Sequence, residues 1–341
     1  MLWTHPIELV DTPDTDPLIV NEWMIYSGEV EMTALNITTG KKIWGYEIGE
    51  GRAINSKYLA YSAYRDAIYF SHDEDFIVLN LQTGNQELLI ENMVWGGGGH
   101  IDLENGYVVI GDTIGGYWVS ETGEILNEYS LSMTTHSVSK YHNTLLFAQK
   151  NTIHGGLTLG RITAVDLVSG DSLWAYNTQN GGFYWARPIL EDGILYAGTR
   201  GNSPANVFVA LHSKTGEPLW EYITQNPFEF AREVVLGPNL MYNRSSAYVF
   251  ALDKITGEKV WAFKWTSASG VNMVYLKGYL YLSDHGIIYV LDAETGELVH
   301  EEPLPTGNGY LWRLAVSEDK LFVQTSRHII AYEPWHLREK N

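Results

Sequence analysis

Apolar runs of a few residues, each followed by a polar turn and a second apolar run, recur along the whole chain. The fullest example is Ala251-Leu252-Asp253-Lys254-Ile255-Thr256-Gly257-Glu258-Lys259-Val260-Trp261. A strand ends at Asp253, whose side chain can accept hydrogen bonds from the turn's N–H groups. Gly257 supplies a positive φ and a second strand runs to Trp261, so the stretch predicts a β-hairpin. The equivalent turn glycines are Gly40, Gly84, Gly123, Gly170, Gly216, Gly257 and Gly296, between 39 and 47 residues apart. That is the ~40–45-residue period of a four-stranded propeller blade.

Two further positions keep the same phase. Six residues before each glycine stand Ala34, Val78, Tyr117, Ala164, Ala210, Ala251 and Val290, mostly small side chains suited to close sheet packing. Four residues after it, Trp44, Trp174, Trp220 and Trp261 recur, with Leu88, Asn127 and His300 in the other repeats. An indole in that register predicts a wedge buried between neighbouring blades. Eight second strands are legible, from the one ending at Tyr26 to Leu321-Phe322-Val323. The last unit ends its third strand at Ile329-Ile330-Ala331-Tyr332 and has no outer strand of its own. A lone strand from Trp3 to Val10, ahead of a Pro- and Asp-rich connector, is expected to supply it and remove an open edge. The expectation is an all-β, eight-bladed propeller in one domain: closing strand and connector over 1–16, repeats over 17–335, tail over 336–341. Seven blades is the alternative if the last unit is a cap.

The pattern Ala-x-Asp-x-x-x-Gly-x-x-x-Trp resembles the PQQ-like repeat of quinoprotein-dehydrogenase-like propellers. That family includes quinone-dependent alcohol dehydrogenases and the lipoprotein subunit of the bacterial outer-membrane barrel-assembly machinery. His212 and Val119 replace the Asp in two repeats, and Asn36 and Asn80 stand there in the first two. The resemblance implies a fold and leaves activity open. Its dehydrogenases hold their quinone on a tryptophan floor with calcium, an aspartate base and a disulfide of adjacent cysteines. This chain has no cysteine and no cluster matching the calcium ligands or base, so neither PQQ nor calcium is expected.

Charge narrows the partners. With 41 acidic against 22 basic residues the formal net charge is −19, a field that repels nucleic acid and anionic membranes and attracts a basic protein. Without cysteine there is no disulfide, thiol nucleophile, zinc-thiolate site or lipobox. No run approaches the ~18 apolar residues of a membrane span, and the first residues lack a signal peptide's basic region and apolar core. A cytoplasmic location is the expectation.

Candidate chemistry sits at the starts of the inner strands. The repeat phase aligns Arg52, His100, His136, Arg187, Arg232, Asn272 and Arg313 there, four of the chain's ten arginines, with Trp185 and Trp312 just before two of them. Guanidinium forks suit carboxylates, phosphates and sulfates, and indole planes suit sugars, rings or an inserted peptide. The competing account pairs each arginine with an acidic neighbour such as Glu229 or Glu233, tying blades together. The loop Ser71-His72-Asp73-Glu74-Asp75 is rich in metal-binding side chains but lacks the spacing of a hard-cation site. Gly96-Gly97-Gly98-Gly99 precedes a strand rather than the helix a phosphate cradle requires. The leading expectation is a non-catalytic scaffold that engages a protein partner, or an anionic ligand, through Arg52, His100, His136, Arg187, Arg232, Arg313, Trp185 and Trp312. An assembly factor or a toxin-neutralising immunity protein would fit. A lyase acting on acidic carbohydrate, with His100 or His136 as base, is the alternative, and a quinone oxidoreductase ranks last.

Overall fold

The structure, a computed structural model, describes all residues except 8–14, 29, 49–58, 94–99, 104, 112–114, 153–156, 184–186, 202–204, 226–228, 232, 246–247, 265–271, 285, 306, 308–310 and 339–341. Its recurring local element is the expected hairpin. Asp253 Oδ1 accepts the N–H groups of Ile255 at 2.9 Å and Thr256 at 2.8 Å, and Gly257 N–H donates back to the Asp253 carbonyl at 2.9 Å. Asn36, Asn80, Asp166 and Asp292 cap their turns in the same way. In the fifth repeat His212 Nδ1 stands in, accepting the Lys214 N–H at 3.3 Å. The third hairpin is one residue tighter. Gly123 N–H reaches the Ser120 carbonyl, and Ser120 Oγ accepts the Glu124 N–H, both at 3.0 Å. Val119 therefore has no cap to make; the role has moved to Ser120.

Each hairpin forms the third and fourth strands of a four-stranded antiparallel sheet. Eight such sheets cover 18–47, 60–90, 100–130, 134–178, 189–223, 233–264, 273–303 and 311–332, the last completed by Trp3–Pro6. They are blades 1 to 8 of an eight-bladed β-propeller fold. The closing strand pairs with His328–Tyr332 from Trp3↔Ala331 to Pro6↔His328. Leu2 N–H and Ile7 N–H add bonds at either end. The closing strand is thus shorter than Trp3 to Val10, and 8–10 lie outside the described residues. In the outer strands a bulge follows the hairpin: Ala251 pairs with Trp261 and Leu252 with Lys259, so Val260 is left over. A bulge twists an edge strand away from further pairing.

The chain packs as two compact units, Met1–Asn92 with Ser267–Asn341, and Met93–Thr266. In both, apolar side chains alternate along each strand, so a blade presents one apolar set to each neighbour. In the first unit Met24 and Tyr26 pack toward Phe322, Ile329 and Ala331 of blade 8, while Ile25 packs toward Ile68, Phe70 and Leu79 of blade 2. Blades 7 and 8 share Tyr281, Val290, Leu314, Val323 and Ile330. In the second unit the seams between blades 3, 4, 5 and 6 are filled likewise, the last by Phe208, Ala210, Trp220, Met241, Phe250 and Leu252. Ala34, Ala164, Ala210 and Ala251 are fully buried, in keeping with their small size at the tightest contacts.

The tryptophans lie on the next blade's turn. Trp220 covers Gly257, whose φ is 73°, so closely that a Cβ there would come within 2.6 Å of the indole. Trp220 Nε1 donates to the Lys254 carbonyl at 2.9 Å. Trp44 repeats this on Gly84 with a 2.7 Å bond to the Leu81 carbonyl, and Trp3 of the closing strand does so on Gly40 with a 3.0 Å bond to Ile37. Where blade 3 has Asn127 instead, Nδ2 reaches the Val168 carbonyl at 3.1 Å and Tyr129 Oη donates to Leu167 at 2.7 Å. Trp44 and Trp220 are buried, but Trp174 and Trp261 are only half-buried. The wedge expectation is corrected there. Trp174 still lies on Gly216, and Trp261 packs against Tyr242 with ring centroids 6.0 Å apart.

Two outcomes follow. Trp220→Ala should cost ~3–5 kcal/mol by urea denaturation, and Gly257→Ala, strained and obstructed, should add little to it because both break one contact. Additive losses would separate the two residues. Backbone N–H bonds, from Thr256 foremost, hold the Asp253 carboxyl below its usual range. Its contribution is complete above the unfolded aspartate pKa and is lost as pH falls through the lower folded value. Asp253→Asn should flatten the acid limb of the stability curve, and an unchanged limb would remove the cap from this account.

Candidate functional site

Of the expected cluster, His100, His136 and Arg187 lie in blades 3 to 5 and Arg313 in blade 8. His100 opens strand His100–Leu103 opposite Val109 and is 2% exposed. His136 falls in strand Thr134–Tyr141 at a register shift between Thr135 and Ser137. Arg187 precedes strand Ile189–Glu191, and its Nη2 donates to the Val138 carbonyl of blade 4 at 3.3 Å. Ser139 Oγ, bonded to the Pro188 carbonyl at 3.3 Å, fixes the same crossing.

Burial first, and then the positive charge of Arg187, push the His100 imidazolium down to about 3. His100 is therefore a neutral imidazole at any physiological pH, held beside a guanidinium. Such a pair offers hydrogen bonds and one positive charge to an oxyanion or carboxylate. It is a poor general base near neutrality, since proton affinity has been spent on burial.

Other aligned positions behave differently. Arg313 Nε lies 2.9 Å from Asp16 Oδ1 in the first unit, an ion pair joining blade 8 to the connector. This matches the structural account of that arginine. A bulge between Leu311 and Arg313 leaves Trp312 as the extra residue, so His136 corresponds to Trp312 rather than to Arg313. The common phase read from sequence is out of step by a residue there. Asn272 is a clamp: its Nδ2 donates to the Leu314 carbonyl and its Oδ1 accepts the Leu314 N–H, both at 2.6 Å. Arg52, Trp185 and Arg232 lie outside the described residues, as does the Trp312 side chain.

Sequence reasoning passed over Arg200 and Arg244. Arg200 lies over the Phe230 ring at 4.5 Å, a cation–π contact whose partners are 30 residues apart in sequence. Arg244, 5% exposed, faces Glu233 at 3.6 Å, and the buried Glu229 takes Lys259 at 3.0 Å. Glu229 and Glu233 thus pair with cations other than the aligned arginines. Ser71 to Asp75 is a tight hairpin turn with Asp73 at φ 54°. Among the described residues no group of three or more His, Asp or Glu is placed to hold a metal ion. NMR titration of His100 should show protonation only near pH 3, with an upward shift in Arg187→Gln; titration near 6.5 in the wild type would mean that the ring is not buried, and no shift in Arg187→Gln that the guanidinium does not act on it.

Comparison with known proteins bears on the fold. Residues 158–324 match the family model of the outer membrane protein assembly factor BamB. BamB from Moraxella catarrhalis superposes with a TM-score of 0.75 over 97% of this chain and 100% of its own, at 14% identity. The quinohemoprotein alcohol dehydrogenase ADHIIG from Pseudomonas putida HK5 gives 0.71 over 97% of this chain and 75% of its own, at 12% identity. In sequence, tetrathionate hydrolase from Acidithiobacillus ferrooxidans is 26% identical over 271 residues, 76% of this chain. The match spans 46% of that relative's length. At such identities the structural likenesses establish architecture alone. The chain is thus a β-propeller whose fold resembles that of BamB and whose residues 158–324 match the BamB family model.

Proposed function

We propose that this propeller is a non-catalytic binding scaffold that takes a carboxylate of a protein partner at the Arg187–His100 cluster of blades 3 to 5. The observation that carries the reading is the neutral, buried His100 beside the Arg187 guanidinium, two blades away in sequence. Burial has made this imidazole a hydrogen-bonding group rather than a base, so the lyase alternative would need His136 as its base. The BamB-type family match agrees with a protein-binding role. The net charge of −19 favours a partner with a basic surface, so a carboxylate presented from within that surface would find Arg187 as its local counterpart. A toxin-neutralising or assembly protein would use such an arrangement.

The test begins with a partner captured from native lysate and purified. Arg187→Gln should weaken its binding about tenfold or more, as loss of a charge-assisted hydrogen bond does, and lower the salt dependence. His100→Gln should weaken it less. Affinity unchanged in Arg187→Gln, with the fold intact by circular dichroism, would overturn this placement.

A further inference from the structure

A second cluster, in the first unit, has no part in the reading above and does not depend on it. Blades 7 and 8 border a small, partly open cleft lined by Tyr281, His300, Glu302, Tyr332, Trp335 and Arg338 above an aliphatic floor. The last two belong to a single helical turn, Trp335–Arg338, none of whose residues is buried. One isolated turn has no stability of its own, so its contacts with the cavity hold it. Trp335 stacks on His300 with ring centroids 4.3 Å apart and planes at 17°. Its backbone N–H donates to Tyr281 Oη at 2.9 Å. His300 stands at the register where four other blades carry the docking tryptophan, so here the indole arrives from the helix instead.

Arg338 is the occupant of the cavity. Its Nη1 lies 2.6 Å from Glu302 Oε2, its Nε donates to the Glu333 carbonyl at 2.8 Å, and its guanidinium carbon is 6.0 Å from the Tyr332 ring centroid. His300 Nε2 bonds the same carboxylate at 3.1 Å. Burial pushes the Glu302 carboxyl up, but the hydrogen bonds from His300 and Arg338 outweigh it and keep it below its usual range. Burial pushes both Tyr281 and Tyr332 up to about 12, leaving neutral aromatic walls. Tyr332 Oη, in a residue 2% exposed, has no hydrogen-bond partner among the described residues and can accept a further N–H. Aromatic faces, a carboxylate, a carbonyl and a spare acceptor together form a receptor for a guanidinium.

We infer that this cavity is a binding site for an arginine side chain of a protein partner, and that Arg338 on its weakly held turn occupies it in the free protein. The overall negative field draws a basic partner toward it, and the partner's arginine replaces Arg338 by exchange of one guanidinium for another. No bond is made or broken, and displacement releases the turn together with Trp335.

Isothermal titration and the Trp335 indole N–H resonance, with N-acetylarginine amide as probe, test this in the full chain. Arg338→Ala should bind the probe at least ten times more tightly than wild type, because the resident competitor is gone, and Glu302→Gln in that background should abolish the binding. If Arg338→Ala does not fold, Arg338→Lys decides, since an ammonium lacks the fork and should yield to the probe more readily than arginine. A folded variant that gains no affinity, or binds equally with Glu302→Gln, overturns the site.

Discussion

An indole lying on its neighbour's turn glycine is the contact on which the blade-to-blade arrangement rests. It needs three things at once: a positive-φ residue without Cβ, a flat ring of the right reach, and a free carbonyl beside the turn. Gly257, Trp220 and the Lys254 carbonyl meet all three. The same set recurs with Gly84, Trp44 and Leu81, and with Gly40, Trp3 and Ile37. Because the ring spends its polar atom on the next blade, it gives direction as well as apolar area to the seam. Trp174 shows the limit of the device. It covers Gly216, but its Nε1 finds no hydrogen-bond partner among the described residues.

Departures from the repeat are compensated in ways that keep this geometry. Asn127 and Tyr129 divide the tasks of one tryptophan between an amide and a phenol. Ser120 takes over a cap that Val119 cannot make. In blade 8 the strand Trp3–Pro6 supplies both the missing edge strand and the docking indole. At His300 the roles are exchanged, with Trp335 brought in from a helical turn. Such exchanges are cheap because the requirement is a surface and a donor, not a particular residue.

Polar groups behave less uniformly than the turns. Arg313 and Asn272 engage neighbouring elements, Arg313 by an ion pair with Asp16 and Asn272 by two hydrogen bonds to Leu314, and so serve the scaffold. Arg187 reaches the Val138 carbonyl and places its charge near His100. Arg338 is held by a carboxylate, a carbonyl and a ring on a helical turn whose residues are only partly buried. The contrast separates cations that tie strands together from those whose surroundings suit a ligand's charge.

The blades, their number and their hairpins were legible in the chain itself, because a turn glycine, its cap and a tryptophan lie within eleven residues and repeat. The closing strand was legible too, since the last unit lacked a partner and Trp3 headed a strand without one. What only the tertiary structure decided concerns residues whose partners are distant in sequence or displaced by a bulge. A bulge in blade 4 and another in blade 8 set His136 level with Trp312, a shift no count from the glycine reveals. Whether an aligned cation meets Asp16, a carbonyl or a buried imidazole depends on side chains from other blades. The cleft around Arg338 draws on five strands and a helical turn, and its chemistry exists only once these are packed together. Local periodicity determines backbone elements because their hydrogen bonds are local; the charges are sorted by neighbours that folding alone supplies.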